Sequence, residues 1–141
     1  MLGIVIPAHN EERDIGECVS AARRAASHPG LNGEAVEVLV VLDSCTDATA
    51  IRAAQAGAHT LSLRARNVGT ARAMGAEALL ARQARWLAFT DADTVVSPEW
   101  LMEQLALNAE AVCGSIGVDD WSQHGVHAQL IHDHFLETYS D

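Results

Sequence analysis

Lysine is absent from these 141 residues, and all nine basic side chains are arginine. A P-loop lysine, a Schiff-base lysine and a lysine general base are therefore excluded, and any phosphate binding falls to arginine or a metal. Positive charge is scarce altogether. Nine cations against 19 acids leave a formal net charge of −10 at pH 7, which argues against nucleic acid as a partner, since general nucleic-acid binding relies on a basic field. Cysteine is limited to Cys18, Cys45 and Cys113, an odd number at wide spacing. They match neither a disulfide framework nor a zinc-ligand spacing and suit a reducing compartment. No apolar run approaches the roughly 18 residues of a membrane span, and the start Met1-Leu-Gly-Ile-Val-Ile-Pro7 lacks a basic n-region. The expectation is a cytoplasmic chain with no transmembrane segment.

What is present alternates. About half of the residues, 49%, are hydrophobic, enough for one domain with a real core. Residues 3–7 and 36–42 are continuous apolar runs of the kind that form strands buried on both faces. Residues 58–63 and 86–90 are two further strands, and 112–118 can form another. Between them lie helical patterns. One follows Asn10, which is placed to cap a helix with an acidic first turn and carries Ile15, Cys18, Val19, Ala22 and Ala26 at helical spacing. Others cover 48–56, where Ser44 and Asp47 have capping-box-like spacing, the stretch ending near Arg82, and 98–111, where Ser97-Pro-Glu99 offers an N-cap, a proline at the first helical position and an acid in the first turn. From Trp121 a weaker amphipathic helix follows. Strand and helix in alternation predict an α/β, doubly wound, mainly parallel sheet with helices on both faces.

In such sheets ligands gather at the carboxyl ends of the strands, beside helix N-termini. His9, Asn10 and Glu11 follow the first strand, Asp43 the second, and Asp91 and Asp93 the fourth. Residues i and i+2 on an extended segment point to one side, roughly 7 Å apart. Two carboxylates so placed repel unless a cation sits between them, and hard oxygen donors point to Mg²⁺ or Mn²⁺. Asp43 has a competing use as a cap for the second helix. Arg64, Arg66 and Arg72 cluster just before and within one helix, near enough to the acids to hold charge. Gly69 and Gly75 lack the spacing of a dinucleotide fingerprint and suit close packing or ligand approach. His124, His127, His132 and His134 invite a zinc reading. Residues two apart on a helix lie about 200° apart around it, so His132 and His134 cannot share an ion from one face, and a polar surface helix is the expectation.

Together these motifs resemble family-2 glycosyltransferases, which have the GT-A nucleotide-sugar-binding fold. Ile4-Val-Ile-Pro-Ala-His-Asn-Glu-Glu12 resembles the family's opening strand and turn, and Val40-Val-Leu-Asp-Ser-Cys-Thr-Asp47 its second acidic turn. Asn67-Val-Gly-Thr-Ala-Arg-Ala-Met-Gly75 is similar to its helix start, and Thr90-Asp-Ala-Asp93 to its Asp-x-Asp (DxD) motif. The resemblance implies a metal-dependent, inverting transfer of a sugar from a UDP- or GDP-linked donor to an unspecified acceptor. It implies that Pro7, Ala8 and Glu11 line the base and ribose pocket and that Asp43 contacts the nucleoside. Gly69 and Arg72 approach the nucleotide, Asp91 faces the ribose or sugar and shares the metal, and Asp93 binds the Mn²⁺ or Mg²⁺ that bridges the diphosphate.

The chain departs from the family at Leu42, where an acid is common, and after Asp93, where no match to the general-base motif follows; Asp119 and Asp120 come too early. The expectation is a truncated GT-A unit: residues 1–118 as the donor-binding domain and 119–141 as a helix leading toward an acceptor-binding part. Two other readings compete. Asp91-Ala-Asp93-Thr-Val95 fits the first motif of haloacid-dehalogenase-type phosphatases, but those place it on the first strand and need a later lysine. A non-catalytic nucleotide-binding or dimerising module is the other, because an exposed sheet edge favours a homodimer.

Overall fold

The computed structural model describes residues 1–114. Met1–Ala106 form one compact unit. Its elements run β1 (Leu2–Ala8), α1 (Ile15–Ala26), a 3-10 turn (Pro29–Leu31), β2 (Val36–Asp43), α2 (Thr49–Ala56), β3 (His59–Leu63), α3 (Val68–Ala81), β4 (Trp86–Phe89) and α4 (Trp100–Ala106). The four strands form one sheet in the order β3-β2-β1-β4, and all three pairings are parallel. This is the α/β sheet that the alternation predicts.

The sheet explains why the first two apolar runs are unbroken. Alternate residues of a strand face opposite sides, and here both sides are covered. Leu2, Ile4, Ile6 and Ala8 of β1, with Val38, Val40 and Leu42 of β2, pack against Ile15, Cys18, Val19 and Ala22 of α1, Ala53 of α2 and Leu101 of α4. Val5, Leu39 and Val41 face the other way, onto Ala71 and Leu79 of α3. Each fully buried aliphatic side chain stabilises the fold by about 1.5–3 kcal/mol. β3, at one edge, is largely exposed, which accounts for its weaker pattern. Along α3 the buried stripe is Ala71, Gly75 and Leu79, at successive i, i+4 positions. A Cβ on Gly75 would lie 2.5 Å from Val5 Cγ1 and 2.9 Å from Val41 Cγ2, so the glycine lets the helix backbone rest on the strands. Gly3 answers from the sheet, where a Cβ would meet Leu79 Cδ1 at 2.6 Å.

Several expected boundaries move. Asn10 does not cap α1: it takes a left-handed backbone (φ 49°), and the helix starts at Ile15 with Asp14 as N-cap and no side-chain capping bond. α4 starts at Trp100 and stops at Ala106 rather than spanning 98–111; Asn108 adopts φ 50°, which a helix cannot continue through. Residues 112–114 carry no regular structure. The remainder of the expected 112–118 strand, the expected helix from Trp121, Asp119, Asp120 and His124, His127, His132 and His134 lie outside the described residues, as does the proposed boundary after residue 118.

Candidate donor and metal site

The residues that the resemblance names stand at the carboxyl edge of the sheet or on the helix start beside it. Pro7 and Ala8 close β1, paired with Val41 and Leu42 of β2, and both are buried. Glu11 sits in the β1–α1 loop, Asp43 at the end of β2, Gly69 and Arg72 in the first turns of α3, and Asp91 and Asp93 just past β4.

The Asp91–Asp93 turn is held from below. Thr90 N–H donates to the Val5 carbonyl at 3.2 Å and extends the β4–β1 ladder past the strand. The Asp91 carbonyl then accepts from Thr94 N–H at 3.0 Å and from the Cys18 thiol at 3.3 Å. Burial, with the charge of Asp93 adding to it, pushes the Cys18 thiol up to about 12, so it stays a neutral donor. Ala92 tucks into the core at 3% exposure, which leaves the two flanking carboxylates outside. Arg72 Nη2 reaches Asp91 Oδ1 at 3.0 Å. That engages one oxygen of Asp91 and leaves Oδ2 open. Asp93 is exposed and has no hydrogen-bond or ion-pair partner among the described residues. Glu11, in the β1–α1 loop, is raised above its ordinary carboxylate value by burial and then by the charge of Asp93. Among the described residues, then, only Asp91 of these three acids is paired with an arginine.

Asp43 serves a different end from capping α2. Its Oδ1 accepts the N–H groups of Ala65 (2.9 Å) and Arg66 (2.8 Å), and Oδ2 accepts that of Asn67 (2.8 Å). The Ser44 hydroxyl donates to Oδ1 at 3.1 Å. Burial raises its pKa, but the amides of Asn67, Arg66 and Ala65 outweigh burial and hold it down at about 2. Asp43 therefore shapes the β3–α3 loop. Asn67 follows and caps α3, its Oδ1 accepting from Thr70 N–H at 2.9 Å, so the helix bearing Gly69 and Arg72 starts at a defined place. His9 Nδ1 lies 2.8 Å from the Asp43 carbonyl; a carbonyl only accepts, so Nδ1 carries the proton.

Sequence reasoning missed a second layer of contacts between the β1–α1 and β2–α2 loops. Asn10 Oδ1 accepts from Thr46 N–H at 2.8 Å. The Cys45 thiol donates to the Ala8 carbonyl at 3.4 Å. Glu12 Oε2 accepts from Ala48 N–H at 3.1 Å, and Asp47 accepts from Glu12 N–H at 3.3 Å and Thr49 N–H at 3.0 Å. The only sequence signal was the density of short polar residues in both turns.

Among the described residues no three His, Cys, Asp or Glu side chains converge to hold a metal ion alone. The donor chemistry nevertheless fits Mg²⁺ or Mn²⁺. Such ions take one or two carboxylates and complete their shell with phosphate oxygens and water, and Asp93 and Asp91 Oδ2 supply that partial set.

A family profile described as Glycosyl transferase family 2 matches residues 3–138. The chain belongs to that family. No curated protein sequence matches the chain. Among solved structures, glucosyl-3-phosphoglycerate synthase of M. tuberculosis is 27% identical with a TM-score of 0.57, over 74% of this chain and 40% of that one. A mycobacterial protein is 25% identical with a TM-score of 0.61, over 96% of this chain and 48% of the other. S. aureus TarS, at 21% identity and a TM-score of 0.60, covers 85% of this chain and 38% of its own; it is a likeness of fold. The family-2 chain thus spans less than half the length of these structures, and its four-stranded sheet has the GT-A fold. The M. tuberculosis synthase has been solved with Mg²⁺ and UDP and with Mn²⁺, UDP and phosphoglyceric acid. No helix among the described residues is long and apolar enough to cross a membrane.

Proposed function

We propose that this chain is the donor-binding part of a cytoplasmic, metal-dependent glycosyltransferase that takes a UDP- or GDP-linked sugar. The observation that carries the reading is the acidic edge at the ends of β1 and β4, where Glu11, Asp91 and Asp93 stand together and, among the described residues, Asp91 alone of the three has an arginine partner; burial, and then the charge of Asp93, raises Glu11. A site that binds an anionic diphosphate yet concentrates carboxylates makes physical sense with a cation between the two. Asp93 and the free oxygen of Asp91 are the metal ligands; Mn²⁺ or Mg²⁺, when bound, offsets the charge that gathers on the departing nucleoside diphosphate.

The chain's own residues do the positioning. Pro7 and Ala8 form an apolar floor at the end of β1 for the base and ribose, with Glu11 at its rim. Asp43 acts on the nucleoside through the 65–67 loop that it orders, and Gly69, open to solvent at the start of α3, allows the nucleotide to approach the helix backbone. Arg72 holds Asp91 in one rotamer, so that its second oxygen faces the ligand. Residues 1–118 form the donor domain, the acceptor is bound elsewhere, and transfer is inverting. Among the described residues β4 pairs only with β1, and Phe89 at its end is 43% exposed; this edge is the surface through which a homodimer would form.

Calorimetry with UDP and GDP, with and without Mn²⁺, tests the reading. One of the two nucleotides is expected to bind at least tenfold more tightly with Mn²⁺. Equal affinity with and without metal for both would remove the transferase assignment.

A further inference from the structure

Thr49 is the one uncharged polar side chain fully buried in the described unit, at 0% exposure. Its hydroxyl lies between two loops that come from different parts of the sequence. It accepts from Glu11 N–H at 2.9 Å and donates to Asp47 Oδ1. A hydroxyl buried without partners is unfavourable, and here both of its capacities are engaged. Asp47 extends the same link, since its Oδ2 accepts from Glu12 N–H at 3.3 Å. Glu12 closes a ring, with Oε2 accepting from Ala48 N–H and its carbonyl accepting from Arg52 Nη1 at 2.6 Å.

We infer that Thr49 is a positioning residue for the donor site: through its hydroxyl it fixes the backbone of Glu11, and so sets where the Glu11 carboxylate stands at the carboxyl edge of the sheet. This rests on the donor-binding reading above. The geometry separates it from simple core packing. Packing would need only a side chain of this shape, whereas the hydroxyl makes the bond that spans the 38 residues to Glu11. Among the described residues no other side chain bonds the Glu11 N–H. The Glu11 carboxylate has no hydrogen-bond partner among the described residues, so its place depends on its backbone, whose carbonyl is tied to the start of α1 by Asp14 and Ile15 N–H and whose N–H is tied by Thr49.

The test compares Thr49→Val, which keeps the shape and removes the hydroxyl, with Thr49→Ser, which keeps the hydroxyl and removes the methyl. Affinity of the full chain for UDP is measured by calorimetry with and without Mn²⁺, at a temperature where circular dichroism shows every variant folded. Thr49→Val is expected to lose about tenfold in Mn²⁺-dependent UDP affinity, and Thr49→Ser to stay within about threefold of the parent although both melt earlier. If Thr49→Val does not fold, Asp47→Asn replaces it, and a several-fold loss is expected as the hydroxyl loses its charged acceptor. Parent-like affinity in Thr49→Val, or equal losses in the valine and serine variants, would overturn the positioning role while leaving donor binding intact. A parent chain with no Mn²⁺-dependent UDP binding would overturn both.

Discussion

Alanine at a helical glycine ordinarily stabilises, by about 1 kcal/mol in an exposed helix; at Gly75 the opposite sign is expected. The added Cβ would stand 2.5 Å from Val5 Cγ1 and 2.9 Å from Val41 Cγ2, where carbon atoms settle at about 3.5–4.0 Å. Either α3 rises by about 1 Å or two valines turn. Both valines are fully buried, and β-branched side chains have little rotamer freedom, so the helix rises. Overpacking of this kind costs about 1–3 kcal/mol. Less the propensity gain, Gly75→Ala is expected to lose up to about 2 kcal/mol net, and its urea midpoint to fall by up to roughly 1 M. Gly16 in α1, where a Cβ would meet nothing within 4 Å, is the control, and Gly16→Ala should gain about 0.5–1 kcal/mol. Because α3 carries Arg72, lifting it also draws the guanidinium from Asp91, and Mn²⁺-dependent UDP affinity should fall with the midpoint. A Gly75→Ala chain stabilised to the same degree as Gly16→Ala would refute the close approach of helix to sheet and with it the account of how Arg72 is placed.

Asp93→Asn should abolish the Mn²⁺ dependence of UDP binding and, by relieving repulsion with Glu11, raise the melting temperature by about 1–2 °C; a lower melting temperature would show that Asp93 supports the fold and not the ligand. Asp43 has a folded pKa of about 2 against an ordinary 3.8, so its stabilisation is fully present above the ordinary value and is lost as the pH falls through about 2. Urea midpoints of the parent should therefore decline between pH 4 and 2, and Asp43→Asn, already less stable at pH 6, should decline less; parallel curves would refute the assignment.

Periodicity in the sequence located the four strands of the described sheet and the helices between them, though not a strand at 112–114, because burial imposes it residue by residue. The unbroken runs at β1 and β2 had to be covered on both faces, and the placement of Asp91 and Asp93 after a strand brought them to the carboxyl edge of the sheet. What could not be read were bonds between turns. Asn10 resembles a helix cap by local spacing, yet its oxygen meets Thr46 N–H, 36 residues away. Asp43 stands next to a helix start but bonds a loop 22 to 24 residues on. Such choices between a local and a distant donor depend on which strands lie side by side, and β1 and β2 become neighbours only once the sheet has formed. α4 ran short of its pattern for a related reason: an apolar period continues in the sequence, while a left-handed backbone at Asn108 ends the helix.

The loop that wraps Asp43 has a consequence for how the protein can hold its ligand. Three consecutive amides around one carboxylate resemble the cradle that glycine-rich loops offer a phosphate. Here the cradle comes already filled by an internal anion. A diphosphate arriving at the sheet edge finds those amides turned inward, and the chain has no lysine to substitute for them. On the donor-binding reading proposed above, its negative charge would be met by an arginine or by a cation brought in from solution, and the ligand's own counter-ion would become a working part of the binding surface.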